Sequence, residues 1–269
     1  MQRFLSMLMP WSLPAIICSG EAAILDNNGR NGSKGRMKTE NPPLPSGYSA
    51  VPPGKLATVV TCLEMLAPPE TPSRGNDCSL VVEAWQSPDL EGYRSLFRAV
   101  GEDWMWVSRL VMEDQALAAI LHDPLVEIYV LKDGGRQIGL LELDFRQDGE
   151  CELVFFGIVR DAIGKGAGRF LMNHAIEKAW ARPISRFWLH TCHFDSPAAL
   201  PFYRRSGFIP YALMVEVFDD PRLCGQAPKN ASPHVPLLDR SRSIAIATAN
   251  GSFRLEPMCR AVRRSAEDS

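Results

Sequence analysis

The apolar positions first fall into a β-branched run, Ala57-Thr-Val-Val-Thr-Cys-Leu-Glu-Met65, which predicts a strand ended by the Pro-rich stretch through Pro72. Ser87-Pro-Asp89 then caps a predicted helix from Leu90 to Val100. A second helix is expected over Met112 to Leu121, because Leu117, Ile120 and Leu121 share the i, i+3, i+4 spacing of one face. Three strands follow, Val126 to Leu131, Gln137 to Phe145 and Cys151 to Val159, joined at Asp133-Gly-Gly135 and Asp148-Gly149. Asp-Gly suits tight hairpins because its residues accept positive φ, so these strands read as an antiparallel meander. Next comes Gly164-Lys-Gly-Ala-Gly168, opening a helix whose buried face is Leu171, Met172, Ala175, Ile176, Ala179 and Trp180, and which Pro183 stops. Phe187 to Cys192 is a further strand, a short helix runs from Pro197 to near Gly207, and Tyr211 to Phe218 is a final strand. Ser243 to Thr248 fits one more strand, whereas the mixed-charge tail to Ser269 stays unassigned.

Before this patterned region, Asp26 to Pro53 is rich in Gly, Asn, Lys and Pro and cannot bury enough apolar surface to offset the entropy of ordering it. Residues 1–55 therefore read as a disordered leader. Met37 lies inside it, so residues 1–36 are either part of the protein or an upstream extension of the reading frame. The apolar stretch Phe4 to Cys18 follows Arg3 as a secretory h-region would, but Pro10 and Pro14 interrupt it and no small-residue cleavage site follows. It is also shorter than the roughly 18 apolar residues of a membrane span. Seven scattered cysteines with no CxxC pair argue against a structural zinc site and fit a reducing cytoplasm. A formal charge of -2 supplies no basic field for nucleic acid, so neither nucleic acid nor membrane is an expected partner.

The chemistry concentrates between Cys151 and Trp180. Closely spaced glycines at a helix start let backbone N–H groups face a phosphate where the helix dipole favours an anion. A P-loop is excluded because six residues separate Gly157 from Gly164 and Gly166 follows Lys165. Arg169 likewise breaks a dinucleotide GxGxxG pattern. The segment resembles motif A of the GNAT acetyltransferases, a strand followed by Q/R-x-x-G-x-G/A and a helix. Ile163-Gly-Lys-Gly-Ala-Gly168 matches it except at Ile163, which removes a polar side chain near the phosphates. A second resemblance lies downstream, where the family reads N-x-P-A-A-L-x-F-Y-x-x-x-G-F and this chain reads Asp195-Ser-Pro-Ala-Ala-Leu-Pro-Phe-Tyr-Arg-Arg-Ser-Gly-Phe208. Asp195 for Asn is the notable change.

The resemblance covers about Leu56 to Phe218, its first third least specifically, and implies a GNAT domain over 56–222 with a C-terminal extension over 223–269. It implies an α/β (α+β) fold whose mixed, mainly antiparallel sheet is flanked by helices and splayed between its fourth and fifth strands. Acetyl-CoA would be the co-substrate, with pantetheine in the splay along Phe156, Gly157 and Ile158. The pyrophosphate would lie on Gly164, Lys165, Gly166, Ala167, Gly168 and Arg169, with Asp195 beside the cofactor. Tyr203 aligns with the family's general acid, and a backbone N–H near Phe155 to Gly157 with its oxyanion donor, Gly157 permitting the bulge this amide needs. The acceptor would be an amine of a small molecule or peptide, and a homodimer stays open.

The base is less legible. If Asp148-Gly149 closes a two-residue turn, Phe145 faces Glu152 and Leu143 faces Val154, so Glu142 and Glu152 fall on opposite faces. Glu152 would then share its face with Val154 and Phe156, where burial raises its pKa toward that of a useful base, while Glu142 joins Asp144 on a solvated face. His190 and His193, near the end of the fifth strand, are further candidates. Cys192 reads as a small buried residue. Asp103, Trp104 and Trp106 could wall the acceptor as a carboxylate beside indole faces, or be ordinary core.

Overall fold

A computed structural model describes residue 39, residues 41–70 and residues 79–238. The Phe4 to Cys18 stretch and the expected Ser243 to Thr248 strand lie outside the described residues. Residues 41–52 are exposed and contain neither helix nor strand.

Among the described residues seven strands form one sheet: β1 (Lys55–Met65), β2 (Leu80–Ala84), β3 (Val126–Asp133), β4 (Arg136–Asp144), β5 (Glu150–Ile158), β6 (Arg186–Cys192) and β7 (Ile209–Asp219). Their spatial order is β2-β3-β4-β5-β6-β1-β7, and every pair is antiparallel except β5 with β6. The helices are α1 (Leu90–Gly101), α2 (Ser108–Val111), α3 (Asp114–Leu121), α4 (Ala167–Trp180) and α5 (Ala199–Arg205). This is the expected mixed, mainly antiparallel sheet flanked by helices. Strand β2 was not anticipated, because five residues, three of them exposed, carry no clear alternation. The helix expected over 112–121 is α3, which begins two residues later because Met112 is extended at ψ 139; the short α2 before it was not anticipated, and Arg94 binds the Arg109 and Met112 carbonyls between the two.

Local chemistry sets the boundaries. Asp89 caps α1 by accepting from the Gly92 N–H at 2.7 Å. Gly134 and Gly135, both at positive φ, close the β3–β4 hairpin between the paired Asp133 and Arg136. The main core lies on both faces of the sheet, with Tyr93, Phe97 and Val100 of α1 on one side and Leu171, Met172 and Ala175 of α4 in the same cluster. A second cluster joins Leu56, Val60 and Cys62 of β1 to Met105, Val107, Phe194 and Phe218. Ala227, Ala231 and Val235, beyond the last strand, complete it.

Candidate active site

Strands β5 and β6 pair over three residues only, Glu150–Glu152 against Arg186–Trp188, and then part. The missing ladder leaves a wedge open toward the C-terminal end of β5, where the Gly-rich turn begins. There a single 3-10 turn (Arg160–Ala162) leads to Gly164 at φ 83 and Gly166 at φ 88, and Gly166 is the N-cap of α4. These left-handed conformations favour glycine. No side chain caps α4, so its first N–H groups are open to an anion in the positive end of the helix dipole. Ile163 and Lys165 are exposed on the turn, and buried Ala167 anchors it.

One wall of the wedge is aromatic. Phe156 of β5 stacks on Phe202 of α5 with ring centroids 5.6 Å apart, and Tyr203 sits edge-on to Phe156 at 6.2 Å. Arg169 lies over the Phe202 ring at 5.7 Å, and Gly168 approaches Ile158 and Phe202. Burial pushes the Tyr203 phenol up, and the nearby Asp195 pushes it further. The phenol therefore stays protonated across the neutral range.

The opposite face of the same strands carries carboxylates. Asp144 pairs with Glu152, but the register shifts between Glu142 and Leu143, so Glu142 pairs with Phe155 and Val154 is the extra residue. Glu142, Asp144, Glu152 and Phe155 therefore share one face. This corrects the expectation that Glu142 and Glu152 lie on opposite faces and that Val154 and Phe156 accompany Glu152. The expected register does hold from Gly139 to Glu142, and only the bulge displaces the hairpin end. Glu142 is not solvated either: it is 1% exposed, accepting from Arg109 at 2.7 Å and from the Tyr93 hydroxyl at 2.6 Å.

Burial, then the charges of Asp144 and Glu142, raises the Glu152 carboxyl to about 8, with Arg109 and Arg146 opposing. His190 lies beside it, Nδ1 being 3.6 Å from Oε1, and burial lowers the imidazole to about 4. At that spacing the two could pass for a salt bridge. Burial favours the neutral form of each, so at neutral pH both are mainly uncharged. The bulge sits at Val154 and not at Gly157. What Gly157 provides is close approach: a Cβ there would lie 2.5 Å from Val100 Cγ1 and 3.2 Å from Trp106 Cη2, so it lets α1 settle on β5.

Residues 85–208 match the Acetyltransferase (GNAT) family model. These residues form a GNAT domain. No curated protein matches the chain. Among solved structures it is similar to a functionally unknown conserved protein from Staphylococcus epidermidis, at 13% identity and TM-score 0.45, covering 62% of this chain and 64% of that one. It is similar also to a GCN5-related N-acetyltransferase from Kribbella flavida, at 18% identity and TM-score 0.40, covering 62% and 60%. A third is an aminoglycoside acetyltransferase from an uncultured soil metagenomic sample, at 16% identity and TM-score 0.42, covering 48% and 88%. The chain thus spans under two thirds of the length of the first two.

On the carboxylate side of the GNAT domain, Trp106 is core and not an acceptor wall. It is 9% exposed and packs on Phe97 and Phe155 at 5.5 and 5.2 Å. Trp104 is half-buried against the same core, and Asp103 pairs with Arg160 at 3.0 Å. Both Asp195 oxygens bind within the protein: Oδ2 accepts from the Thr191 hydroxyl at 2.6 Å and the Cys192 N–H at 3.0 Å, and Oδ1 accepts from the Trp106 indole at 3.3 Å. His193 faces Thr58 and the Val59 N–H through Nδ1, away from Glu152's partner His190. Cys192 is buried, as expected.

Sequence reasoning missed the segment after β7. Ser232 is fully buried, and its N–H donates to the Asp103 carbonyl at 2.8 Å while its hydroxyl donates to the Phe194 carbonyl at 3.2 Å. Buried Arg222 binds Asp220 and the carbonyls of Ala231, Val235 and Pro236. The strap thereby fastens the connection after α1 to the loop after β6. Its irregular backbone carries no periodicity from which it could have been read. Among the described residues no group of three or more His, Cys, Asp or Glu side chains could hold a metal, and no helix is long and apolar enough to cross a membrane.

Proposed function

We propose that the chain is an acetyl-CoA-dependent N-acetyltransferase acting on an amine of a small molecule or peptide. The observation that carries this reading is the parting of β5 from β6 beside the uncapped N-terminus of α4. Gly164 to Gly168 and Arg169 would receive the pyrophosphate, and unpaired β5 backbone along Phe156 to Ile158 would hold pantetheine in the wedge. The acyl carbon then reaches the point where the two faces of the sheet communicate.

The roles follow from those faces. Tyr203, on the aromatic side and protonated, gives its proton to the departing thiolate. Glu152, on the carboxylate side, takes the proton of the attacking amine, which bonds to the acyl carbon as the C–S bond breaks. A carboxyl raised to about 8 is a stronger base than an ordinary one and is partly ionised at neutral pH. A backbone N–H beside the Val154 bulge would stabilise the oxyanion. We also assign the enzyme to the cytoplasm, where acetyl-CoA and reduced cysteines coexist. Cys62, Cys151, Cys192 and Cys224 are thiols outside any disulfide, which is consistent with that assignment.

The test is free-thiol release from acetyl-CoA across polyamines, amino acids, aminoglycosides and lysine peptides. Amine-dependent release supports the reading. Saturable acetyl-CoA binding without release for any amine would mark a CoA-binding module instead, a reading to which Ile163 in place of the family's Gln or Arg lends weight.

A further inference from the structure

Three neighbouring residues at the apex of the wedge each carry a buried polar atom without a hydrogen-bond partner: Oε1 of Glu152, Nε1 of Trp188 and Nδ1 of His190, the first and last 3.6 Å apart. Glu152 and Trp188 are register partners across β5 and β6, and His190 projects on the same face of β6 two residues later. Buried polar atoms are nearly always satisfied, so unsatisfied ones on neighbouring residues call for a partner: a water, a ligand or a bond made during function. Glu152 keeps 12% of its side-chain surface open although Oε1 is closed off. One oxygen thus lies beside His190, and the side chain as a whole is not sealed from solvent.

We propose that His190 is the positioning residue of Glu152. Its neutral imidazole donates the Nδ1 proton to Oε1, fixing the carboxyl so that Oε2 receives the proton of the acceptor amine. This rests on the acetyltransferase reading above. A small side-chain rotation brings the 3.6 Å separation to hydrogen-bond length. The bond survives both states of the acid, because Oε1 is a carboxylate oxygen before transfer and the carbonyl oxygen of the acid afterwards. It is stronger to the anion, so His190 holds the acidity of Glu152 within reach of neutral pH against the burial that raises it.

The other groups around the pair do not supply this bond. From β4, Asp144 and Glu142 add negative charge, and the fields of Arg109 and Arg146 oppose them at Glu152. Across β6, Cys62 of β1 pairs with His190, and burial raises its thiol to about 11, so it is uncharged. Arg186 and Tyr211 lie beside Cys62, and Arg186 also lies over the ring of Trp188 and pairs with Glu150. The proton balance closes: the amine loses one proton to Oε2, the thiolate gains one from Tyr203, and solvent restores both groups.

The experiment compares wild type, His190→Leu and His190→Asn by the pH profile of kcat and by infrared titration of the carboxylic-acid carbonyl band that Glu152→Gln removes. Asn offers an amide N–H where Nδ1 stands, whereas Leu offers only bulk. In His190→Leu the band should titrate about one unit higher and kcat at pH 7 should fall about tenfold, with KM for acetyl-CoA unchanged. His190→Asn should stay near wild type in both measurements. Should Leu fail to fold, His190→Gln replaces it, its amide extending toward Nε2 instead. An unshifted infrared midpoint or an unmoved kcat profile in the folded variant overturns the proposal. Absence of thiol release by wild type overturns the acetyltransferase reading itself, and the infrared midpoint distinguishes the two failures because it needs no turnover.

Discussion

The indole N–H of Trp106 donates to the Asp195 carboxylate at 3.3 Å, tying the connection after α1 to the loop after β6. The contact explains why Asp stands where the family pattern has Asn: Oδ2 already accepts two hydrogen bonds, and Oδ1 must accept a third. An amide nitrogen in either place would face a donor. Asp195→Asn should therefore cost about 1–3 kcal/mol, and Trp106→Ala about 3–5 kcal/mol, both read by chemical denaturation. A Trp106→Ala protein of undiminished stability but raised acceptor KM would show the indole to be substrate-facing after all.

Arg109 and Glu142 are each 1% exposed and pair at 2.7 Å, with Tyr93 completing the carboxylate's bonds. Removing one member strands a buried charge, so Glu142→Ala should destabilise by about 3–5 kcal/mol, far more than Tyr93→Phe. If Glu142→Ala keeps its midpoint but abolishes turnover, the catalytic carboxylate has been assigned to the wrong strand position.

Tyr203 should lose little but its hydroxyl when changed to Phe, since its ring contacts with Phe156, Phe202 and Phe208 remain. Turnover of Tyr203→Phe should fall about 100- to 10,000-fold, the range of a lost general acid, with acetyl-CoA affinity near wild type. Wild-type turnover would make the phenol a packing group, with water donating the proton.

The raised acidity of Glu152 also has a thermodynamic sign. Its carboxyl titrates near 8 in the fold and near the ordinary 4.5 when unfolded, so the folded state holds the proton more tightly. The stability this contributes is fully present below about 4.5 and is lost as pH rises through about 8. Glu152→Gln carries no such charge, so its melting temperature relative to wild type should climb between pH 5 and pH 9. Parallel curves would mean that Glu152 titrates normally.

Most of the fold was legible because its strands and helices carry strong periodicity, and the Gly-rich turn and the segment from Asp195 to Phe208 are specific in residue type. What was illegible depends on one-residue events. The Val154 bulge reverses which carboxylates share a face, and nothing in Cys151-Glu-Leu-Val-Phe-Phe-Gly157 announces it. Burial of Trp106 depends on Gly101 and Gly157, where a Cβ would meet Trp106 at 2.5 and 3.2 Å. Ser232 acts from 129 residues away on Asp103, a long-range contact that no local pattern encodes.

The account stands or falls on the Gly-rich turn, and titrating acetyl-CoA into wild type and Gly166→Val by calorimetry tests it most directly. Gly166 holds φ 88 with nothing within 4 Å of where a Cβ would point. Valine there must abandon the left-handed conformation and move the N–H groups of the turn, while no core contact is disturbed. The account predicts saturable binding to wild type, weakened at least about tenfold, or about 1.4 kcal/mol, in a folded Gly166→Val protein. Absence of binding to wild type, or equal affinity in the folded variant, would contradict it.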